Sequence, residues 1–277
     1  MTLPNALNRR SLLKASALTL GASLLPAIAR ADTIADIKQK GKVVIGIQGD
    51  NPPWGFVNSS GVQEGFDAEI GKAFAAFLGV QVEFMPLAVA NRIPALTTGR
   101  CDVLFATMAM LPERAKAVQF SKPYVANIIS LVAAKTATVK TNADMKSLVI
   151  GVPRSSVQDT MITKNAPEGT TIRRFDDDAS TIQAVLSGQV QAAGANMFYL
   201  DRLNQSKPGM FEGKLEFTRL YNGACCRLGD KAMNTALNAF IDQIRTNGVL
   251  AKAYTTWMHL SPPTFPDSLP EIPFTVS

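Results

Sequence analysis

Few residues in this chain can do bond-breaking chemistry. His259 is its only histidine, and Cys101, Cys225 and Cys226 lack metal-ligand spacing, which excludes zinc sites and histidine-based triads. The cysteines allow either one disulfide, from Cys101 to Cys225 or Cys226, or buried free thiols. Asp50 and Glu64 are close enough in sequence to be considered as an acid–base pair, yet each is ordinary for a loop. No cofactor is expected. Polar side chains placed to hold a ligand are better represented, above all Thr107 and Asn196.

These two residues occupy matching points of an internal repeat. Ile182 to Met197 aligns without gaps on Ile93 to Met108, with five identities in sixteen positions. Each stretch reads as a helix end, a glycine cap at Gly99 or Gly188, and a buried strand. Ligands of open α/β sheets bind beyond the carboxyl ends of the strands. Two equivalent polar strand ends therefore predict a cleft between two similar lobes.

The surrounding pattern supplies those lobes. Lys42 to Ile47 alternates as a strand, and Asp67 is expected to cap a helix whose apolar face is Ile70, Ala73, Phe74 and Phe77. Val80 to Met85, a short helix over Asn91 to Thr98, and an apolar strand from Asp102 to Thr107 complete a βαβαβ unit. Phe66, Phe74 and Phe77 read as core. An apolar run from Ile128 to Ala134 begins a change of lobe, and the pattern restarts: strand Leu148 to Val152, helix Gln158 to Lys164, strand Thr170 to Phe175, helix face Ile182, Val185 and Leu186, strand Val190 to Ala195. Leu215 to Arg227 returns to the first lobe, Asp230 caps a further helix, and the proline-rich tail from Ser261 should lie extended on the surface. The expected organisation is an export signal over 1–31, lobe 1 over 32–128 and 222–277, and lobe 2 over 129–221. Two crossings imply a two-segment hinge that closes around a ligand.

The signal is read from Arg9 and Arg10, an apolar stretch from about Ala15 to Ala29, and the small residues around Arg30. Its Asn8 to Lys14 segment is either a twin-arginine signal or an ordinary secretory one with incidental arginines. Without Arg9, Arg10, Lys14 and Arg30, 24 basic residues face 22 acidic ones, a balance of +2 that leaves no nucleic-acid footprint.

Six segments carry a family resemblance: Asn51-Pro-Pro-Trp-Gly-Phe56, Gly65-Phe-Asp67, Asn91-Arg-Ile-Pro94, Pro112-Glu-Arg114, Phe120-Ser-Lys-Pro-Tyr124 and Leu186-Ser-Gly-Gln-Val190. In this order they resemble the periplasmic amino-acid-binding proteins of ABC importers, the bacterial extracellular solute-binding proteins of family 3. The resemblance implies a periplasmic-binding-protein-like α/β fold, a periplasmic monomer, an amino-acid ligand and a membrane permease as partner. It assigns Arg114 to the ligand α-carboxylate, which planar guanidinium donors pair two oxygens at a time. Thr107, with Met108 beside it, matches a position that offers hydroxyl or backbone donors to the same group. Ser156 matches the second-lobe loop that begins a helix, either as an anion site or as a simple cap. Arg92, with Asn91 before it, either points into the pocket toward an acidic or amide-bearing ligand side chain, or is solvated or paired with a cleft carboxylate. Trp54 either covers the ligand or belongs to the core.

Three positions depart from the family pattern. Asn196 stands where the aspartate for the α-ammonium is usual, Asn51 where an aromatic is usual, and Ala109 where a hydroxyl is usual. Asp176, Asp177 and Asp178 either compensate or cap the next helix. A modest affinity or a less usual amine-bearing ligand is expected. An enzyme on the same scaffold, of the cyclohexadienyl dehydratase type, or a ligand sensor are the competing readings.

Overall fold

A computed structural model describes residues 33–276. The export signal expected over 1–31 lies outside the described residues. After a short helix, α1 (Thr33–Lys40), the first lobe opens with β1 (Lys42–Ile47) and a small antiparallel sheet of β2 (Asp50–Asn51), β3 (Gly55–Val57) and β4 (Gln63–Glu64). The helix α2 (Phe66–Leu78) follows and stops where Gly79 takes φ 73, a left-handed turn that glycine adopts at no steric cost. Its buried stripe includes Ile70 and Phe74, each worth about 1.5–3 kcal/mol of apolar burial. Asp67 is not its cap: Gly65 holds that position without a side-chain bond, and the Asp67 carboxylate points inward instead. Phe77 packs on Phe74 and Phe240 but is 38% exposed, so it edges the core rather than filling it.

β5 (Gln81–Pro86), α3 (Arg92–Thr97) and β6 (Val103–Leu104) complete the first unit. Both β5 and β6 pair parallel with β1, giving the order second–first–third. α4 (Pro112–Ala115) then leads into β7 (Val118–Ala134), which runs to the second lobe. There β8 (Val149–Pro153), α5 (Val157–Asn165), β9 (Thr171–Phe175), α6 (Asp178–Leu186) and β10 (Ala192–Asn196) repeat the plan. β9 and β10 flank β8, both parallel, in the same second–first–third order. The repeat expected from sequence is thus present in the strand topology, with Gly99 and Gly188 at φ 75 and φ 76 in equivalent turns.

α7 (Tyr199–Ser206) precedes β11 (Phe211–Arg227), and α8 (Lys231–Thr246) and α9 (Val249–Met258) return to the first lobe. β7 and β11 are each 17 residues long and pair antiparallel from end to end, joining both units in one eight-stranded sheet. The pairing slips at Gly213/Leu215, Glu216/Thr218, Asn222/Gly223 and Gly223/Cys225. Separate cores fill the lobes: Phe74, Phe105 and Phe240 belong to one cluster, Val132, Ile182 and Leu203 to another.

Two further expectations need correction or completion. The tail carries only an isolated bridge between Leu269 and Ile272, but Ile272 and Phe274 are buried and the Phe274 carbonyl accepts from Asn234 and Asn238. Its two apolar side chains anchor it to the core, so it does not simply lie on the surface. All three cysteines are free and buried; burial pushes the Cys101 thiol up to about 11 and that of Cys226 to about 12.

Candidate functional site

Between the two units lies a narrow polar cleft that encloses only about 30 Å³. Asn51, Arg92, Thr107, Arg114, Ser156 and Asn196 all line it, drawn from six different elements or turns. Trp54, Met108 and Asn91 do not. Trp54 is wholly buried and packs edge-on against Phe66 and Phe198 at centroid distances of 6.3 and 5.5 Å. Met108 points into the first-lobe core, because its side chain falls on the opposite side of the chain from that of Thr107. Asn91 is exposed, its place in the motif being the turn before α3.

Arg92 is the least satisfied polar group in the cleft. Its side chain is 4% exposed, and Nη1 donates to the Ala106 carbonyl at 2.8 Å and more weakly to Thr107 Oγ1 at 3.5 Å. Nε and Nη2 have no partner among the described residues. Burial lowers its pKa, opposed by Asp178, Asp50 and Asp67, none of which pairs with it directly. An orphaned donor at such depth costs about 1–3 kcal/mol or more, so these N–H groups fit a site completed by a ligand acceptor.

Thr107 sits at φ 44, a region a β-branched residue enters only when its surroundings hold it there. The holder is Asp67, whose Oδ2 accepts from the Thr107 N–H at 2.9 Å while Oδ1 accepts from the Tyr124 hydroxyl at 2.7 Å. This bend lies past the end of the third strand, which stops at Leu104 rather than at Thr107. The bond to Asp67 also means that the Thr107 backbone donor is already used, which leaves its hydroxyl, engaged by Gln48 Nε2, as the part facing the cleft. Burial lifts the Asp67 carboxyl to about 6 despite these hydrogen bonds.

On the other side, Ser156 caps α5, its hydroxyl accepting from the Asp159 N–H at 3.0 Å. Ser155 before it is also left-handed, at φ 61, and its carbonyl accepts from Arg114 Nη2 at 3.4 Å. Arg114 therefore spans from α4 of the first unit to the loop of the second. Burial first, then the nearby Arg92 charge, lowers its pKa to about 10, and it remains a cation at neutral pH.

Asn196, at the end of β10, is less available than its position suggests. Its Oδ1 accepts from the Phe198 N–H at 3.0 Å and from Trp54 Nε1 at 3.4 Å, and its Nδ2 donates to Asn51 at 3.5 Å. Sequence reasoning missed Gln48, Asn127, Gln158 and Arg202 beside it, and left the run that includes Asp178 open between compensating for Asn196 and capping a helix. Asp178 is 2% exposed and lines the cleft, Gln48, Asn127 and Gln158 add buried amides, and Arg202 donates to Asn51 Oδ1 at 2.9 Å. Within the run of three aspartates, Asp177 is the helix cap and Asp178 turns inward to accept from the Tyr199 hydroxyl at 2.5 Å. Burial raises the Asp178 carboxyl to about 6, aided by Asp50. The run itself was the available signal, since two adjacent residues at a helix start cannot both act as its cap.

Two guanidiniums, one carboxylate and several amides converge here, between α/β lobes that a pair of long strands joins. That combination defines a two-lobed solute-binding protein. The chain belongs to the bacterial extracellular solute-binding proteins, family 3, whose profile matches residues 43–260. It is 26% identical over 255 residues to the L-cystine-binding protein TcyJ of Escherichia coli (strain K12), covering 91% of this chain and 96% of that one. With the ABC transporter glutamine-binding protein GlnH of Bacillus subtilis (strain 168) it shares 32% identity over 83% of this chain and 86% of the relative. Among solved structures it is similar to the ancestral amino acid-binding protein AncCDT-1, a precursor of cyclohexadienyl dehydratase, at 28% identity and a TM-score of 0.75, over 81% of this chain and 99% of that one.

Proposed function

We propose that this chain is the periplasmic solute-binding component of an ABC importer, capturing a small polar amino acid between its lobes and delivering it to a membrane permease. The observation that carries the reading is Arg92, buried in the cleft with Nε and Nη2 unpaired beside a second guanidinium, that of Arg114. Arg114, with the Thr107 hydroxyl and the first turn of α5 behind Ser156, holds the α-carboxylate. Arg92 takes the ligand side chain, which is then an amide or a carboxylate. A dibasic amino acid would bring a second cation to two arginines with no second anion lining the cleft to receive it. The lobes are 32–128 with 222–277, and 129–221; most buried side chains cluster on one side of these limits, with Phe198 of the second segment reaching into the first core. The protein acts as a monomer, without nucleic acid, after removal of its export signal.

Thermal-shift screening tests this directly. A ligand at 100 times its Kd stabilises the folded state by about 2.7 kcal/mol. Glutamine and glutamate should raise the melting temperature while arginine and lysine leave it unchanged, and a response to no amino acid would refute the proposal.

One observation favours a second reading, an enzyme: Asp178 is a cleft carboxyl held up to about 6, a property suited to a general acid. Asp50 and Glu64 give it no support, since both are engaged as hydrogen-bond acceptors from Asp178 and Asn58. Consumption of prephenate or arogenate by the purified protein would select the enzyme.

A further inference from the structure

We propose that Asp178, not Asn196, receives the α-ammonium of the bound amino acid. The assignment rests on the reading above that the cleft holds an amino acid, and it names the residue that distinguishes such a ligand from its des-amino analogue.

An ammonium brings three donors and a full charge, so it needs acceptor oxygens and preferably an anion. Asn196 supplies neither. Both acceptor positions of its Oδ1 are taken, by Phe198 N–H and Trp54 Nε1, and its other polar atom is a donor already turned toward Asn51. Trp54 and Phe198 also pack against each other, which fixes the amide from both sides. The side chain at this strand end thus ties the lobes together.

Asp178 has what Asn196 lacks. It carries the one carboxylate among the cleft-lining residues. Its hydrogen bond from the Tyr199 hydroxyl uses Oδ1, and Oδ2 has no protein partner among the described residues. Its backbone N–H is anchored by Asp50 at 2.7 Å, so the side chain starts from a fixed point. Arg92 lies in the same cleft, yet no hydrogen bond or ion pair joins it to Asp178, although both are buried. Opposite charges kept apart in one cleft match a ligand that itself carries opposite charges.

The test uses three probe pairs, each an amino acid and its analogue without the amine: glutamine and glutaramate, glutamate and glutarate, cysteine and 3-mercaptopropionate. Calorimetric titration of wild type, Asp178→Asn and Asn196→Ala is compared within a pair. Asp178→Asn should weaken the amino acid on the order of 100-fold or more while changing its analogue only a few-fold. Retained binding of the analogue shows that the variant is folded. Asn196→Ala should weaken both members by a common factor. Equal loss of both members in Asp178→Asn, or selective loss of the amino acid in Asn196→Ala, would overturn the assignment. Wild-type protein that bound none of the three amino acids would instead remove the functional reading, and this assignment with it.

Discussion

Asp50 of the first lobe accepts the backbone N–H of Asp178 in the second, at 2.7 Å, and that of Ala179 at 3.1 Å. A carboxylate of one lobe therefore caps a helix of the other, adding to the intrahelical cap from Asp177. Because this bond exists only when the lobes meet, it favours closure regardless of which ligand is present. Arg202 reinforces it by donating to Asn51 Oδ1 and, at 3.3 Å, to the Asp50 carbonyl.

Asp50→Ala removes a cap worth about 0.5–2 kcal/mol. Every ligand should then bind roughly 2- to 30-fold more weakly, by one common factor, mainly through faster release. Stopped-flow dissociation checks this; a change confined to one ligand would show that Asp50 contacts ligand rather than the opposite helix.

Arg114→Ala should abolish measurable binding of all carboxylate ligands, since it removes the proposed paired donors and leaves the anion buried. Isothermal titration at millimolar ligand is the measurement. Binding that survived intact would place the carboxylate elsewhere.

Arg92→Met is expected to separate stability from selectivity. Removing a buried guanidinium with two unpaired nitrogens should stabilise the unliganded protein, by about 1–3 kcal/mol or roughly 2–10 °C in Tm. The same variant should lose its preference for amide or acidic side chains over alanine. Scanning calorimetry and competition binding read the two effects independently.

The raised carboxyls of Asp67 and Asp178 have opposite consequences for stability and for affinity. Both lie at about 6 in the fold against an ordinary 3.8. Between those values the folded state binds more protons than the unfolded one, so their contribution to unliganded stability is greatest below pH 3.8 and is lost as pH rises through 6. Ammonium binding at Asp178 needs the ionised form, so affinity should fall by up to tenfold per unit below pH 6 and level off above it. Asp50, Arg92, Arg202 and Tyr199 surround Asp178, and Asp178→Asn isolates its share by flattening the profile. Titrations between pH 4.5 and 8 at constant ionic strength, a range set by the shift itself, supply the check.

What was legible in the sequence follows the range of each interaction. The repeat, the glycine caps at Gly99 and Gly188, and the parallel units rest on local periodicity, and the structure contains them. Thr107 and Asn196 were found because repeats place equivalent residues at equivalent points. Asp67 misled because an acid near a helix start has a sufficient local explanation, and its actual partners lie 40 and 57 residues away. Asp178 was named only as one of a run for a similar reason: which of three adjacent aspartates turns inward depends on helix phase and on Tyr199, 21 residues on. Asn196 was correctly located but its free valences were not, since Trp54 approaches from 142 residues away.

The paired β7 and β11 have a mechanical consequence. Leu220 and Asn127 sit opposite each other on that ribbon and both line the cleft, so a captured solute rests against the spring that must flex to let it go. The register slips at Glu216/Thr218 and Asn222/Gly223 bracket this point, where a bulged ladder bends most readily.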